Sequence, residues 1–320
     1  MGNSLIRIGI VGAGRVAENH AEAIKKTPNA VLTAAAGGRN VAMFCEKHNI
    51  KELAKEEICT SPLIDALLVL TPWKTHFLYA KAALEAGKHV LVEKPVSFCL
   101  EEIITLAQTA EKNQVVCMPG HSYLYLSELT RMSRVTKEEV IGEPAYLYLS
   151  ETYYMPPELF AKYEGPEVDI LCHQLYLLLA ILGKPECVSA FRTQFDLSIV
   201  ATSGPQLIVN MKYATGCLAQ VMLSWAAEDH TSDPWTFKVK LLGTEGAMNF
   251  SRRDYVKNIG AGYEQVFYQE MFDSQMNYFI NHSVLKGEEP LSTIQDAALV
   301  CKLHNIILKS AKTEQTMVVD

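Results

Sequence analysis

Concentrated positive charge is missing from this chain of 320 residues. Its 29 Lys and Arg residues are outnumbered by 36 Asp and Glu residues, the formal net charge is −7, and no basic block occurs. Proteins that bind a nucleic-acid backbone need clustered Lys and Arg. The composition therefore argues against a nucleic-acid partner.

Long apolar runs are missing as well. No uninterrupted run approaches the roughly 18–20 residues of a membrane span, so we expect no membrane partner. The first residues lead directly into a strand pattern rather than a signal peptide. The eight cysteines include no CxxC pair, which argues against a metal site, and most of them lie in apolar runs. We expect buried free thiols in a cytoplasmic protein.

The most informative segment that is present is RIGIVGAGRVAENH, from Arg7 to His20. A short apolar strand is followed by Gly12 and Gly14, a helical pattern from about Arg15, and a second strand (Val31 to Ala36) at the spacing of a βαβ unit. Gly12 permits a tight turn, and Gly14 lets backbone N–H groups approach a pyrophosphate at the helix N-terminus. The segment predicts a dinucleotide site that includes Gly12, Gly14, Arg15 and Val16.

The first part of the chain alternates between strands and helices. Continuous apolar strands at 66–70 and 89–92 are typical of a parallel sheet that is covered on both faces, and such a sheet binds ligands at the carboxyl ends of its strands. Helices are expected near 41–48, 76–86 and 100–113, and a last strand at 115–118. The strand ends add Gly38, Arg39, Thr71, Pro72, Trp73, His76, Glu93 and Lys94 to the predicted dinucleotide site.

The pattern changes after His121. Longer, alternating strands follow at about 146–151, 187–195, 206–213, 216–225 and 236–242, and helices are expected near 271–285 and 294–309. One very apolar helix, from about Val168 to Leu182, ends at Gly183. We predict an α/β protein with a dinucleotide-binding domain at 1–121 and a second domain at 122–320 that contains a large, mostly antiparallel open sheet.

Five segments, in this order, resemble the glucose-fructose oxidoreductase, inositol dehydrogenase and MocA family. They are GIVGAGRVAENH from Gly9, TPWKTH from Thr71, AGKHVLVEKP from Ala86, DILCH from Asp169 and GTEGAMNF from Gly243. Two positions depart from the family pattern, since Trp73 stands where the family usually has Asn and Leu171 stands where it has Gly.

The resemblance implies a Rossmann domain followed by a domain with a large open sheet. It also implies pyridine-nucleotide redox chemistry on a sugar, cyclitol or related polyol, with Lys94, Asp169 and His173 as the catalytic residues. In this family one face of the second sheet commonly forms a subunit interface, which implies a homodimer or homotetramer.

The residue types agree with that chemistry. Oxidation of a secondary alcohol needs a hydride acceptor, a base, and stabilisation of the charge that develops on oxygen. His173 is the predicted base because imidazole titrates near physiological pH, and a single helix would place Asp169 on the same face, four residues earlier. Lys94 can donate to a substrate hydroxyl and favour its alkoxide. A satisfied core histidine and a helix-start carboxylate are the structural alternatives for His173 and Asp169.

Three further residues have less specific predictions. His121 is a candidate substrate contact beside Lys94, Asp169 and His173, with interdomain packing as its alternative. Trp73 either stacks on the nicotinamide ring, shapes the substrate pocket or has a plain packing role. Leu171, which stands where the family has Gly, is expected either to narrow the substrate site or to alter the approach of the helix.

The end of the second strand favours NADP over NAD. NAD enzymes place Asp or Glu there to hold the ribose 2′-hydroxyl, whereas this chain has Gly37, Gly38, Arg39 and Asn40. The missing carboxylate removes repulsion of a 2′-phosphate, and Arg39 can bind that phosphate bidentately. In the alternative interpretation Arg39 points to solvent and NAD binds.

Three functions follow from these observations. The first is an NAD(P)-dependent oxidoreductase that acts on a carbohydrate-like alcohol or its ketone. The second is a hydrolase or lyase that retains its nucleotide and oxidises a sugar transiently. The third is a non-catalytic dinucleotide-binding sensor.

Overall fold

The computed structural model describes residues 5–152, 155, 164–197, 202–226, 237–251 and 263–320. These residues form two compact units. The first unit comprises the described residues of Met1–Leu126 together with Val266–Cys301, and the second comprises those of Ser127–Gln265 together with Lys302–Asp320.

The described helices are α1 (Arg15–Lys26), α2 (Val41–His48), α3 (Lys55–Ile58), α4 (His76–Glu85), α5 (Leu100–Asn113), α6 (Ser127–Lys137), α7 (Pro166–Asp169), α8 (Leu171–Leu182), α9 (Tyr263–Asn277) and α10 (Ile294–Thr313). Short 3₁₀ helices cover Trp73–Thr75 and Ser122–Tyr125, and a π-helical segment, Tyr278–Val284, continues α9.

The described strands of the first unit are β1 (Ile6–Val11), β2 (Ala30–Ala36), β3 (Lys51–Glu52), β4 (Ala66–Val69), β5 (His89–Glu93) and β6 (Cys117–Gly120). Those of the second unit are β7 (Pro144–Thr152), β8 (Cys187–Leu197), β9 (Thr202–Lys212), β10 (Leu218–Ser224), β11 (Phe237–Gly243), β12 (Ala247–Ser251) and β13 (Met317–Val318).

The first sheet is parallel throughout its described strands, in the order β3-β2-β1-β4-β5-β6. All of β4 and the residues Val90, Leu91 and Val92 of β5 are buried, because strands covered on both faces need apolar side chains at every position. The strand order reverses between β1 and β4, and doubly wound sheets bind ligands at the carboxyl ends beside that point. The predicted Rossmann fold is confirmed.

Most predicted elements of the first unit lie where the pattern placed them. The helices expected at 41–48 and 100–113 coincide with α2 and α5. The last strand was expected at 115–118 but covers Cys117–Gly120, so the residues that precede His121 belong to the sheet.

A segment from late in the sequence completes the first unit. The Asn19 side-chain amide of α1 donates to Gln269 of α9 (2.9 Å), and the His20 and Phe272 rings meet edge to face at 4.9 Å. The range Val266–Cys301 therefore belongs to the first compact unit, whereas the boundary predicted from the sequence assigns it to the second domain.

The second sheet is mixed and mostly antiparallel, in the order β12-β11-β7-β10-β9-β8-β13. Strands β7 and β10 pair in parallel, and the other described neighbours pair antiparallel. Side chains alternate along β9, where Leu207, Val209 and Met211 are buried while Ile208 and Asn210 are exposed. This alternation is typical of a sheet with one covered face, and it confirms the predicted open sheet.

The apolar helix of the second unit differs from its prediction. The chain expected to form one helix from Val168 to Leu182 forms α7 and α8, which are separated at Ile170. Ile170 has φ −105° and ψ −42°, and the His173 N–H donates to the Ile170 carbonyl at 2.9 Å. Asp169 and His173 thus lie in two helices, and the argument that they share one face of a single helix is wrong.

Two expectations about composition can be compared with the described residues. None of the helices in the described ranges combines the length and the apolar character needed to cross a bilayer. All eight cysteines are free thiols, and they are buried except Cys187, which is half-buried, and Cys99, which is exposed.

Candidate active site

Two glycines close the turn at the carboxyl ends of β1 and β2. Gly12 and Gly38 have φ values of +101° and +109°. A Cβ on Gly12 would lie 2.7 Å from the carbonyl carbon of Leu70, and a Cβ on Gly38 would lie 2.8 Å from the carbonyl oxygen of Ala13. Side chains are therefore excluded at both positions, and the backbone segments that follow β1, β2 and β4 lie directly against one another.

The segment from Gly14 to Val16 opens α1. Gly14 is the N-cap residue and no side chain caps the helix. Gly14 and Arg15 are exposed, and a Cβ on Gly14 would meet no atom of the described residues within 4 Å. The start of α1 is therefore accessible among the described residues, and because N–H groups at a helix N-terminus bind phosphates, residues 12–16 (the glycine turn) could hold the pyrophosphate of a dinucleotide.

Positive charge lies at the end of β2. Arg39 and Lys55 are exposed, and a Cβ on Gly37 would collide with the Lys55 side chain. Lys55 therefore lies against the same turn that carries Arg39. The structure adds this second cation, which the sequence analysis missed because Lys55 belongs to α3, beyond the motif.

The loop that follows β4 carries Thr71, Pro72 and Trp73. The Thr75 hydroxyl donates to the Thr71 hydroxyl at 2.8 Å. The Trp73 ring meets Phe98 edge to face at 5.0 Å, which supports its packing role, and its buried indole N–H has no hydrogen-bond partner among the described residues. Stacking of Trp73 on a nicotinamide ring stays a prediction.

Glu93 is the last residue of β5, and together with Lys94 and Pro95, which follow it, it forms the lysine turn. Glu93 Oε1 lies 3.0 Å from His20 Nε2, and Glu93 Oε2 accepts a hydrogen bond from the Lys94 backbone N–H at 3.0 Å. His20 is fully buried and Lys94 is half-buried. The carboxylate of Glu93 therefore links α1 to the backbone of Lys94.

His76, the first residue of α4, joins two strand ends. Its Nδ1 lies 2.8 Å from the Pro95 carbonyl oxygen and its Nε2 lies 2.7 Å from the Thr71 carbonyl oxygen. Burial holds the pKa of His76 below its ordinary value, although both carbonyls act in the opposite direction. A neutral imidazole donates to one of these oxygens, and a protonated one donates to both.

His121 follows β6 and is fully buried. With its amide oxygen facing this turn, Gln275 of the first unit accepts hydrogen bonds from the backbone N–H groups of His121 (3.0 Å) and Ser122 (3.2 Å). Gln275 therefore holds the backbone at His121 in place. A contact between the His121 ring and a substrate stays a prediction.

The second unit carries the other two predicted catalytic residues. His173 is buried and Asp169 is half-buried. Leu171, which stands in place of the family glycine, is fully buried and directs its bulk into the interior. Joint action of Lys94, in the first unit, with Asp169 and His173 stays a prediction.

Long-range contacts fix the short helix that ends at Asp169. Glu167 Oε1 accepts from Arg192 Nε at 2.9 Å and Nη2 at 2.8 Å. The backbone carbonyl of Glu167 lies 3.0 Å from His304 Nε2. Helix α7 is therefore held by β8 and α10.

Two family models match the chain. One, described as "Oxidoreductase family, NAD-binding Rossmann fold", covers residues 6–121, and the other, "GFO/IDH/MocA C-terminal domain", covers residues 129–249. The chain belongs to the GFO/IDH/MocA family of oxidoreductases. The resemblance seen in the sequence motifs is confirmed.

Individual relatives include dehydrogenases and glycoside hydrolases. The chain is 27% identical over 185 residues to a myo-inositol 2-dehydrogenase of Thermotoga maritima, a match that covers 56% of this chain and 55% of that protein. It is 28% identical over 186 residues to a glycosyl hydrolase family 109 protein of Streptomyces filamentosus, over 51% of this chain and 36% of that protein. The chain thus spans about half the length of the inositol dehydrogenase and 36% of the length of the hydrolase.

The fold is also similar to that of solved structures. A scyllo-inositol dehydrogenase from Lactobacillus casei, solved with bound NAD(H) and scyllo-inositol, is 18% identical with a TM-score of 0.82, and the match covers 98% of each chain. At this level of identity the likeness shows the fold.

Within the first unit, the sequence predictions identify residues that lie together. Gly12, Gly38 and Thr71 share the backbone contacts of the strand ends, and His76 connects Thr71 with the lysine turn. His20 is a further functional candidate, to which the sequence motifs assign no role. A polar residue on the otherwise apolar face of α1, next to the buried Ala17, Ala21 and Ile24, was the available signal.

Proposed function

We propose that the protein is an NAD(P)-dependent oxidoreductase that interconverts a secondary alcohol and a ketone of a sugar, cyclitol or related polyol. The observation that carries this proposal is the glycine turn after β1 of a Rossmann sheet, with Lys94 directly after β5 of the same sheet, one strand beyond the neighbouring β4. The inositol dehydrogenase relatives support the substrate class. Because the first relatives are matched over about half their length, the activity is a proposal for this chain.

In the proposed mechanism, Lys94 and Asp169 orient the reacting hydroxyl. The Lys94 ammonium donates a hydrogen bond to the substrate oxygen and favours its alkoxide character. His173 accepts the hydroxyl proton as general base in the direction of oxidation and returns it in the direction of reduction. The nicotinamide, when bound, supplies the hydride acceptor or donor.

A substrate panel with one variant tests this mechanism. Polyols and keto-sugars, with myo-inositol included, are assayed with NAD and NADP by the absorbance of the reduced nicotinamide. His173→Ala should lower kcat by about 10²–10⁴-fold and leave the dissociation constant of NADPH unchanged. Near-normal turnover of His173→Ala would remove His173 from the role of base.

We infer that NADP binds more tightly than NAD. Arg39 and Lys55 supply two cations at the end of β2, and no Asp or Glu occurs between residues 37 and 40. A 2′-phosphate gains charge-assisted hydrogen bonds from such a pair. Equal or tighter binding of NAD, measured by titration at constant ionic strength, would overturn this preference.

A second candidate function is glycoside cleavage with a retained dinucleotide. The similarity to a glycosyl hydrolase family 109 protein favours it. The two functions differ in their net chemistry, because the hydrolase returns the hydride to the sugar in each turnover. Release of a chromogenic aglycone without net reduction of NADP or NAD would support the hydrolase, whereas stoichiometric reduction by a free polyol would support the dehydrogenase.

We propose further that the protein is a homodimer or homotetramer through the open face of the second sheet. Phe191 and Ile208 are register partners on that face, with 52% and 37% of their surfaces exposed, and Leu218 of the same sheet is 52% exposed. Adjacent exposed apolar side chains are typical of a surface that another subunit covers.

A further inference from the structure

The lysine turn is held on both flanks by buried histidines. On one side, His20 of α1 contacts the Glu93 carboxylate at 3.0 Å, and the other oxygen of that carboxylate accepts the Lys94 N–H at 3.0 Å. On the other side, His76 of α4 contacts the Pro95 carbonyl at 2.8 Å. The residues before and after Lys94 are therefore each tied to a different helix.

In the contact between His20 Nε2 and Glu93 Oε1, the imidazole is the hydrogen-bond donor. A carboxylate oxygen only accepts hydrogen bonds, so His20 carries a proton on Nε2 and donates it to Glu93. His20 Nδ1 is buried without a hydrogen-bond partner among the described residues, and the Phe272 ring meets the imidazole edge to face at 4.9 Å. The ring is thus fixed by packing and offers a single donor to Glu93.

The contact of His76 connects the lysine turn to a second loop. Its other ring nitrogen lies 2.7 Å from the carbonyl of Thr71, in the loop that follows β4. The neighbouring backbone of Leu70 and Thr71 also lies against the Cβ position of Gly12. His76 therefore lies between the lysine turn and the loop that packs against the glycine turn, the segment proposed to hold the dinucleotide phosphates.

We propose that His20 and His76 are positioning residues that fix the Lys94 ammonium relative to the bound dinucleotide. This inference rests on the proposed oxidoreductase function, in which Lys94 contacts the reacting oxygen. Neither histidine is assigned a contact with substrate. A loss of either tie lets the lysine turn move, and a misplacement of about 1 Å can lower a rate about 100-fold.

Paired substitutions separate positioning from packing. His20→Leu and His76→Leu remove the hydrogen-bond donors. His20→Gln and His76→Gln keep an amide N–H group as donor. At residue 76 the Gln amide nitrogen carries two N–H bonds, one for each of the carbonyls of Thr71 and Pro95. With the preferred polyol of the panel, the Leu variants should lose about 10–100-fold in kcat. The Gln variants should recover most of that loss, and the dissociation constant of NADPH should change by less than about twofold in the two His20 variants.

A double-mutant cycle with Lys94→Ala identifies the residue through which the histidines act. If they position Lys94, adding His20→Leu or His76→Leu to Lys94→Ala should lower kcat no further. Losses that multiply would overturn the proposal. If His20→Leu fails to fold, Glu93→Gln replaces it in the same cycle and tests the contact between His20 and Glu93. If His76→Leu fails to fold, His76→Gln replaces it and tests the contact between His76 and the Pro95 carbonyl.

A matched control comes from the opposite end of β5. His89 is the first residue of that strand, and its Nδ1 accepts a hydrogen bond from the Val116 N–H at 3.1 Å. His89→Gln should leave kcat and KM unchanged. An unchanged kcat in Lys94→Ala would refute the catalytic role of Lys94 and, with it, the positioning proposal. If kcat falls in Lys94→Ala but His20→Leu and His76→Leu are fully active, only the positioning proposal is refuted.

Discussion

The Cβ position of Gly12 lies 2.7 Å from the carbonyl carbon of Leu70, so the chain that leaves β1 passes directly against the chain that leaves β4. No side chain fits between them, and the φ of +101° at Gly12 is a conformation that other residues adopt with strain.

Gly12→Ala should therefore lower both stability and dinucleotide affinity. The left-handed conformation costs a residue with a side chain about 1–3 kcal/mol, and the collision with Leu70 adds to that cost. We expect a clear fall in the urea midpoint and a dissociation constant of NADPH that rises about tenfold or more.

Gly14→Ala is the matched control for this prediction. Its φ of −102° is ordinary, and its Cβ would enter open space in front of α1. The urea midpoint should stay near that of the parent protein while the dissociation constant of NADPH rises, because the methyl group occupies the proposed phosphate position. Equal loss of stability in both variants would contradict this account of the glycine turn.

Arg39→Ala should change the choice between dinucleotides. Loss of one charged contact to a 2′-phosphate should weaken NADP binding by about 10–100-fold and leave NAD binding within about twofold. Titration of both dinucleotides at fixed ionic strength measures the ratio. Lys55→Ala should act in the same direction, whereas Lys51→Ala, on the exposed strand β3, serves as the control for overall charge. If Arg39→Ala weakens the binding of NAD and NADP equally, Arg39 does not contact the 2′-phosphate.

Acidic pH should destabilise the fold through two buried histidines, His76 and His304, and the half-buried His89. Burial lowers the pKa of His76, His89 and His304 in the folded protein. As the pH falls below about 6.5, the unfolded chain therefore takes up protons before the folded chain does, and the free energy of unfolding decreases. We expect a constant urea midpoint above about pH 7.5 and a progressive fall between about pH 6.5 and 5.

His89→Gln provides the check on that mechanism. The substitution removes one titrating group from the set, so the slope of the free energy of unfolding against pH should decrease in this interval. An unchanged slope would assign the acid sensitivity to other groups.

Phe191→Lys combined with Ile208→Lys should produce a monomer. Both side chains are exposed on adjacent strands, and two charges in a subunit interface would be left without partners on desolvation. Light scattering coupled to size exclusion measures the mass of each form. As a control, Met43→Lys combined with Leu78→Lys adds the same two charges at exposed apolar positions of the first unit and should leave the measured mass unchanged. A parent protein that is already monomeric at micromolar concentration would refute the proposed interface.

The fold of the first unit was predictable because its signals are local. The apolar runs of β4 and β5 and the glycines after β1 each specify their own conformation within a few residues. The same holds for the alternating strands of the second sheet. Strand β12 and helix α6 were not predicted, since the short β12 segment carries a weak alternation and α6 a polar composition.

The parts that could not be predicted depend on distant contacts. The interruption at Ile170 accompanies contacts of Glu167 with Arg192 and His304, which lie 25 and 137 positions later. The tie between His20 and Glu93 spans 73 positions. Neither helix propensity nor motif spacing reports on such pairs, so the sequence identified Lys94 but gave no information about what holds it.

The first unit is assembled from two stretches of chain that are far apart in sequence, and this has a consequence for biosynthesis. Phe272 reaches His20, and Gln269 reaches Asn19, only after most of the polypeptide has left the ribosome. A fragment that stops at residue 126 would leave this side of α1 open to water. The nucleotide-binding half of the protein can therefore mature only at the end of translation, and expression of its N-terminal portion by itself should yield an incompletely closed product.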